Sequence, residues 1–277
     1  MDEQVRWSEP LPGIGQVLLD APPRNILGSE AWQRMESALE DLRSRGCRVV
    51  VIGSAVDGFF MAHGSLKRII DVFTGGSAGD VDAQRRVMRE LDTGPMVSIA
   101  AIDGQAWGGG AELCWACDLR VASPAASFAQ PEVNIGLTPG WGGATKVAHL
   151  AGEAAALRLV LDGRPISGEE AWRLGLVHRM ARDGDALGEA IGWAAWLADR
   201  PPWALTANKA LVKGARTLTL REGLRKELET FAACASRPEA LQLIREAQAR
   251  YDAGRDSHDA FGLRADEPAS DPEASGG

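Results

Sequence analysis

The sequence predicts an α/β fold that gives way to helices near residue 184. Three observations carry this expectation. Short β-rich runs alternate with helical stretches over the first two-thirds of the chain. The β-rich runs at 48–53 and 97–103 are almost wholly apolar, as buried strands are. Beyond residue 184 the spacing of apolar residues is nearly all helical.

Taken in order, residues 16–20 read as a strand. Across 29–45, Trp32, Met35, Leu39 and Leu42 recur at steps of three and four and form one apolar helix face. Ser29 suits the N-cap of this helix and Gly46 its stop. Strands follow at 48–53 and 97–103, with shorter ones at 119–122 and 176–180. The run Thr74-Gly75-Gly76-Ser77-Ala78-Gly79 has the composition of a loop. Ser167 and Glu170 have capping-box spacing and open a short helix ending near Gly175. Two helical patterns between 218 and 251 are interrupted at Arg237-Pro238. The expected division is therefore a core at 1–183, a helical region at 184–253 and a disordered acidic tail at 254–277. Residues 264–277 hold too little apolar surface to bury a core, and disorder is expected there.

Composition narrows the function. With 45% hydrophobic and 25% charged residues the chain is ordinary for a globular protein. No apolar run approaches the roughly 18–20 residues of a membrane span. Met1-Asp2-Glu3-Gln4 lacks the basic and apolar regions of a signal peptide, so a cytoplasmic location is expected. A net charge of −8, with no Lys/Arg cluster, disfavours nucleic acid as a partner. Cys114 and Cys117 resemble half a zinc site, but no second pair follows at metal spacing. Packing as small apolar side chains is the expectation, and no metal is expected.

The most informative stretch runs from 99 to 118. A buried strand ends at Asp103-Gly104, and Gly108-Gly109-Gly110 leads into a helix beginning near Ala111. Glycines before a helix leave backbone N–H groups unshielded, and the helix N-terminus adds partial positive charge. Such a run suits an oxyanion hole or a phosphate cradle, and tight backbone packing explains it equally well. It is neither a Walker loop nor the dinucleotide G-x-G-x-x-G pattern.

Two further segments change that balance: Phe60-Met61-Ala62-His63-Gly64-Ser65-Leu66, and Pro131-Glu132 through Gly142-Gly143. With Asp103-Gly104 through Gly110-Ala111-Glu112-Leu113, and Ala171 through Gly175-Leu176-Val177, they resemble the crotonase (enoyl-CoA hydratase/isomerase) family. The motifs keep the family's order and span roughly residues 12–253.

The resemblance implies a crotonase-like spiral of ββα units followed by C-terminal helices that build a homotrimer or hexamer. It implies an acyl-CoA thioester substrate, with no cofactor beyond the CoA of that substrate. Gly64 and Gly109 would supply the two oxyanion-hole N–H groups. Glu112 would act on the water attacking C3, and Glu132 would exchange the C2 proton. Arg24, Ala62, His63, Lys67, Trp107 and Trp141 would line the substrate site, with Arg24 and Lys67 equally readable as solvated surface charges. The sequence departs from the family in its first loop, where His63 replaces a usual Gly and Ser65 a common Asp. Trp115 stands where a smaller side chain is usual. The leading expectation is an enoyl-CoA hydratase. An isomerase or decarboxylase of the same family, or a non-catalytic CoA-binding protein, stays open.

Overall fold

The computed structural model describes residues 4–77 and 79–263. Two compact units divide the chain at the end of a helix, residues 1–213 and 214–277.

In the first unit, β1 (Val5–Leu11) and β2 (Ile14–Leu19) form an antiparallel hairpin. Helix α1 (Ser29–Ser44) buries Trp32, Met35, Leu39 and Leu42 as the periodicity predicts. Gly28, rather than Ser29, is its N-cap; the Ser29 hydroxyl donates instead to the Asp80 carbonyl at 3.0 Å. Gly46 stops the helix at φ +84°, a conformation open to glycine.

The next segment repeats one pattern. β3 (Val49–Ser54), β5 (Val97–Ile102) and β7 (Leu119–Ala122) lie in one sheet, and β4 (Gly58–Met61), β6 (Gly104–Trp107) and β8 (Ser127–Ala129) in another. Each strand of the first sheet is followed directly by one of the second, then by helix: α2 (Leu66–Thr74) and α3 (Ala83–Thr93), then α4 (Gly109–Ala116), then α5 (Thr145–Asp162). These are the turns of a ββα spiral. β9 (Ile166–Ser167) and α6 (Gly168–Arg173) follow, then β10 (Arg179–Met180), the short remnant of the strand expected at 176–180. The larger sheet has the order β1-β2-β3-β5-β7-β10, parallel from β2 onward; the smaller has the order β4-β6-β8-β9. Ser167 caps α6 by accepting from the Glu170 amide, while the Glu170 carboxylate pairs with Arg158 instead of closing the box.

Sheet coverage explains the apolar runs. Val50 and Ile52 face one core cluster with α1, α3 and α4, whereas Val49 and Val51 face a second cluster. That second cluster is closed by α7 (Ala186–Ala198), whose Ala186, Ala190, Ala194 and Ala198 form one small-residue face. Both faces of the sheet are covered, so neither register of the alternation could be polar.

Helix α8 (Pro202–Gly214) is fixed by buried charge. Lys209 pairs with Asp118 at 2.8 Å, Lys213 bridges Asp118 (3.0 Å) and Asp92 (2.9 Å), and Lys146 also reaches Asp92 (2.8 Å). Lys209 is only 6% exposed. An Asp118→Ala variant would take the carboxylate from the buried Lys209 ammonium and leave Lys213 with Asp92 alone. We expect a loss of about 3 kcal/mol in denaturant unfolding, the lower end for a broken buried pair because Lys209 keeps two carbonyl partners. A loss within 0.5 kcal/mol, the range of an ordinary surface substitution, would contradict this.

The second unit holds α9 (Leu220–Ala235), α10 (Pro238–Asp252) and α11 (Ser257–Phe261). Thr219 and Glu222 form a full capping box at the start of α9, and Pro238 opens α10 where the sequence pattern breaks. Residues 257–261, expected to lie in a disordered tail, are instead helical, with Phe261 edge-on to Tyr251 at 5.9 Å. The disorder expected for 264–277 lies outside the described residues. Leu220, Leu224, Leu228 and Phe231 form an apolar stripe along α9 that is 57–80% exposed in the single chain. No helix among the described residues is long and apolar enough to cross a membrane.

Candidate active site

The spiral brings two helix N-termini together. Gly109 is the first residue of α4, two residues earlier than the sequence suggested, and Gly64 immediately precedes Ser65, the N-cap of α2. Helix geometry leaves the Gly109 N–H without an intrahelical acceptor. The contact between the two loops explains the glycine triplet residue by residue. A Cβ on Gly109 would lie 3.3 Å from the Gly64 backbone, and one on Gly110 only 2.1 Å from the Met61 carbonyl oxygen. Gly108 adopts φ +49°, and a Cβ there would lie 2.9 Å from Glu132 Oε1. Close packing therefore accounts for the triplet position by position and does not preclude an amide site there.

The first loop is held from several sides. The Ala62 amide donates to the Arg24 carbonyl at 3.0 Å, and Gln105 Nε2 donates to the Ala62 carbonyl at 3.2 Å. Buried Asn25 ties the same region, donating to Ser54 Oγ and the Phe60 carbonyl. His63 is not at positive φ, so exchanging the family's glycine for it strains no backbone here. Its Nδ1–H donates to the Gly64 carbonyl at 2.7 Å, and Ser65 caps α2 by accepting from the Arg68 amide at 3.2 Å. Both departures in sequence thus anchor the loop that presents Gly64.

The two carboxylates are held differently. Glu112, in the first turn of α4, is 2% exposed. Its Oε1 accepts from the Trp141 amide at 2.5 Å and the Gly143 amide at 3.0 Å. Burial pushes its carboxyl above the usual carboxylate range, and the amides of residues 140–143 pull it back. Glu132 sits in a 3-10 turn, Pro131–Ile135, capped by Gln130. Burial raises its carboxyl to about 7, and the charge of Glu112 pushes the same way. A pair whose environments differ in this way can hold one proton between two roles.

Trp107 donates its indole N–H to Ser127 Oγ at 2.9 Å. Trp141 serves Glu112 through its backbone amide, while its ring lies under Arg85 at 5.9 Å. Lys67 is 85% exposed and paired with Asp71. Arg24 is exposed and meets the site through its backbone. Sequence reasoning missed Gln130, which is fully buried next to Glu132, and the amide role of the loop 140–143. The run Pro-Gly-Trp-Gly-Gly was the available signal for the second, because its glycines expose amides as the 108–110 triplet does; Gln130 carried none.

Amides at paired helix ends can hold a developing oxyanion, and two carboxylates of unlike environment can move protons beside it; the class this defines is an enzyme that activates a carbonyl compound. The comparisons narrow it. A profile of the enoyl-CoA hydratase/isomerase family matches residues 11–251, and the chain belongs to that family. It is 31% identical to a probable enoyl-CoA hydratase of Bacillus subtilis (strain 168), over 79% of this chain and 85% of that protein. It is 35% identical to the human enoyl-CoA hydratase domain-containing protein 2, mitochondrial, over 83% of this chain and 81% of that protein. The crystal structure of an enoyl-CoA hydratase from Bacillus anthracis superposes with a TM-score of 0.81 at 27% identity, covering 91% of this chain and 97% of that one.

Proposed function

We propose that the protein is an enoyl-CoA hydratase, adding water reversibly across the 2,3 double bond of a 2-enoyl-CoA. The observation that carries this is the pair Glu112 and Glu132, both present beside the Gly64–Gly109 contact and differently solvated. Hydration needs two proton operations, at the water and at C2, and a double-bond isomerase needs no water.

In this mechanism the Gly64 and Gly109 amides receive the thioester oxygen as it gains enolate charge, worth roughly 3–4 kcal/mol per donor. Glu112, as carboxylate, takes a proton from the water whose oxygen bonds to C3. Glu132, protonated, delivers its proton to C2 as the enolate collapses to the thioester. Arg24 and Lys67 are proposed to meet the phosphates or adenine end of CoA, and Ala62 and His63 to border the acyl thioester with Trp107 and Trp141 nearby. No cofactor beyond the substrate's CoA enters the scheme. The exposed stripe of α9 supports a homotrimer, or a hexamer of paired trimers, and a cytoplasmic location is part of the same proposal.

The direct test is mass spectrometry of products from a panel of 2-enoyl-CoA thioesters in deuterated water. One added water with deuterium at C2 supports hydration. A shifted alkene or a shortened acyl chain assigns an isomerase or a decarboxylase, and an unchanged panel rejects catalysis on these substrates.

The two directions should also differ in pH dependence. With Glu132 titrating near 7, kcat/KM for hydration is expected to fall as pH rises through that value, because the proton donor is lost. Dehydration, which needs the Glu132 carboxylate, is expected to rise over the same interval. Profiles that are flat in both directions between pH 6 and about 8.5 would remove Glu132 from this role.

A further inference from the structure

Behind Glu132 lie two buried polar side chains that the proton-transfer scheme leaves unused. Trp115, on α4, is 1% exposed and stacks at 5.2 Å on Phe128. It therefore fills core and does not narrow an acyl pocket. Gln130, fully buried, is the N-cap of the turn that carries Glu132. With its amide nitrogen toward Glu132, Gln130 donates to both carboxylate oxygens at 3.2 Å, and its oxygen accepts from Trp115 Nε1 at 3.2 Å. The opposite orientation sets the amide oxygen against the carboxylate and the amide N–H against the indole N–H, two repulsions at once. Gly143 closes the remaining side, since a Cβ there would lie 2.5 Å from the same amide.

We infer that Trp115 is a positioning residue for the proposed hydration: its indole N–H fixes the polarity of the Gln130 amide, so that Glu132 always faces a donor. This rests on the hydratase reading of Glu132. An indole can only donate, so no rotation of Trp115 reverses the chain of bonds, whereas a hydroxyl in its place could donate or accept. The donated bonds favour the carboxylate form of Glu132, opposing its burial and the charge of Glu112. Arg120, 5.9 Å from the Trp115 ring, is the charged group on the far side, where it donates to the Cys114 and Cys117 carbonyls.

The test is a double-mutant cycle read in the pH profile of kcat/KM for hydration. Trp115→Phe keeps a ring against Phe128 and removes the N–H; Gln130→Leu removes the donor itself. Each is expected to move the Glu132 limb upward by about one pH unit from its place in the unmodified protein, since losing a donor to a carboxylate favours its protonated form. The double variant is expected to move it no further than Gln130→Leu alone, because Trp115 acts only through Gln130. Additive shifts, or an unmoved limb in either folded single variant, overturn the inference. Should Trp115→Phe not fold, Gln130→Leu alone still decides whether Glu132 faces this donor. Failure of the hydratase reading is separate: there the wild-type protein forms no hydrated product at all.

Discussion

Replacing Glu112 by glutamine is expected to lower kcat for hydration by roughly 10²–10⁴-fold with KM little changed. The substitution is nearly isosteric, and the new amide oxygen can still accept from the Trp141 and Gly143 amides that now hold Oε1. Packing should therefore survive, and the loss reports proton transfer. The physical setting makes the group matter. Burial raises the Glu112 carboxyl, and the amides of residues 140–143 pull it back toward the charged form that a base needs. Starting from a 3-hydroxyacyl-CoA, exchange of solvent deuterium at C2, assigned to Glu132, should persist in this variant while loss of water is slowed. Steady-state kinetics and product mass spectrometry read both quantities. If Glu112→Gln hydrates within threefold of the unmodified protein, another group activates the water.

The second large effect is expected from Gly110→Ala. Its Cβ would meet the Met61 carbonyl oxygen at 2.1 Å, and a backbone carbonyl cannot swing aside as a side chain can. The start of α4 must then part from the end of β4, which carries the Gly109 amide away from Gly64. We expect kcat/KM to fall by at least about 10²-fold, since losing one oxyanion donor alone has that effect. Stability should fall by about 1–3 kcal/mol, as overpacking typically costs. Gly192→Ala in α7, with open space at its Cβ, is the matched control and should be neutral or slightly stabilising. Full activity in a folded Gly110→Ala protein would mean that the contact of the two loops is incidental to catalysis.

Much of this arrangement could be read before any coordinates. The apolar runs at 48–53 and 97–103 became β3 and β5, and the 29–45 periodicity became α1, because burial on two faces or one leaves its period in the residue order. Helices α2 and α3 went unpredicted although each has apolar residues at helical spacing. Leu66, Ile69, Ile70 and Phe73 fall at helical spacing along α2, yet none is buried in the single chain, and the Ser65 cap and left-handed Gly75 bound the element. The N-cap of α1 was misplaced by one residue because Ser29 has the better capping chemistry, but its hydroxyl found a tertiary partner in Asp80. A local propensity yields when a distant acceptor is available.

The functional site divides along the same line. Residue types and spacing marked the glycine triplet, while the family and the two glutamates came from the resemblance of four ordered motifs, since close backbone approach and proton transfer each admit few side chains. Which partners those residues meet was decided only in three dimensions. Glu112 is held by amides about thirty residues away, His63 turns back on the carbonyl of Gly64, and Trp115 reaches Glu132 through Gln130. A hydrogen bond depends on direction and distance between groups brought together by the chain's path, and neither quantity is written in the order of residues along it.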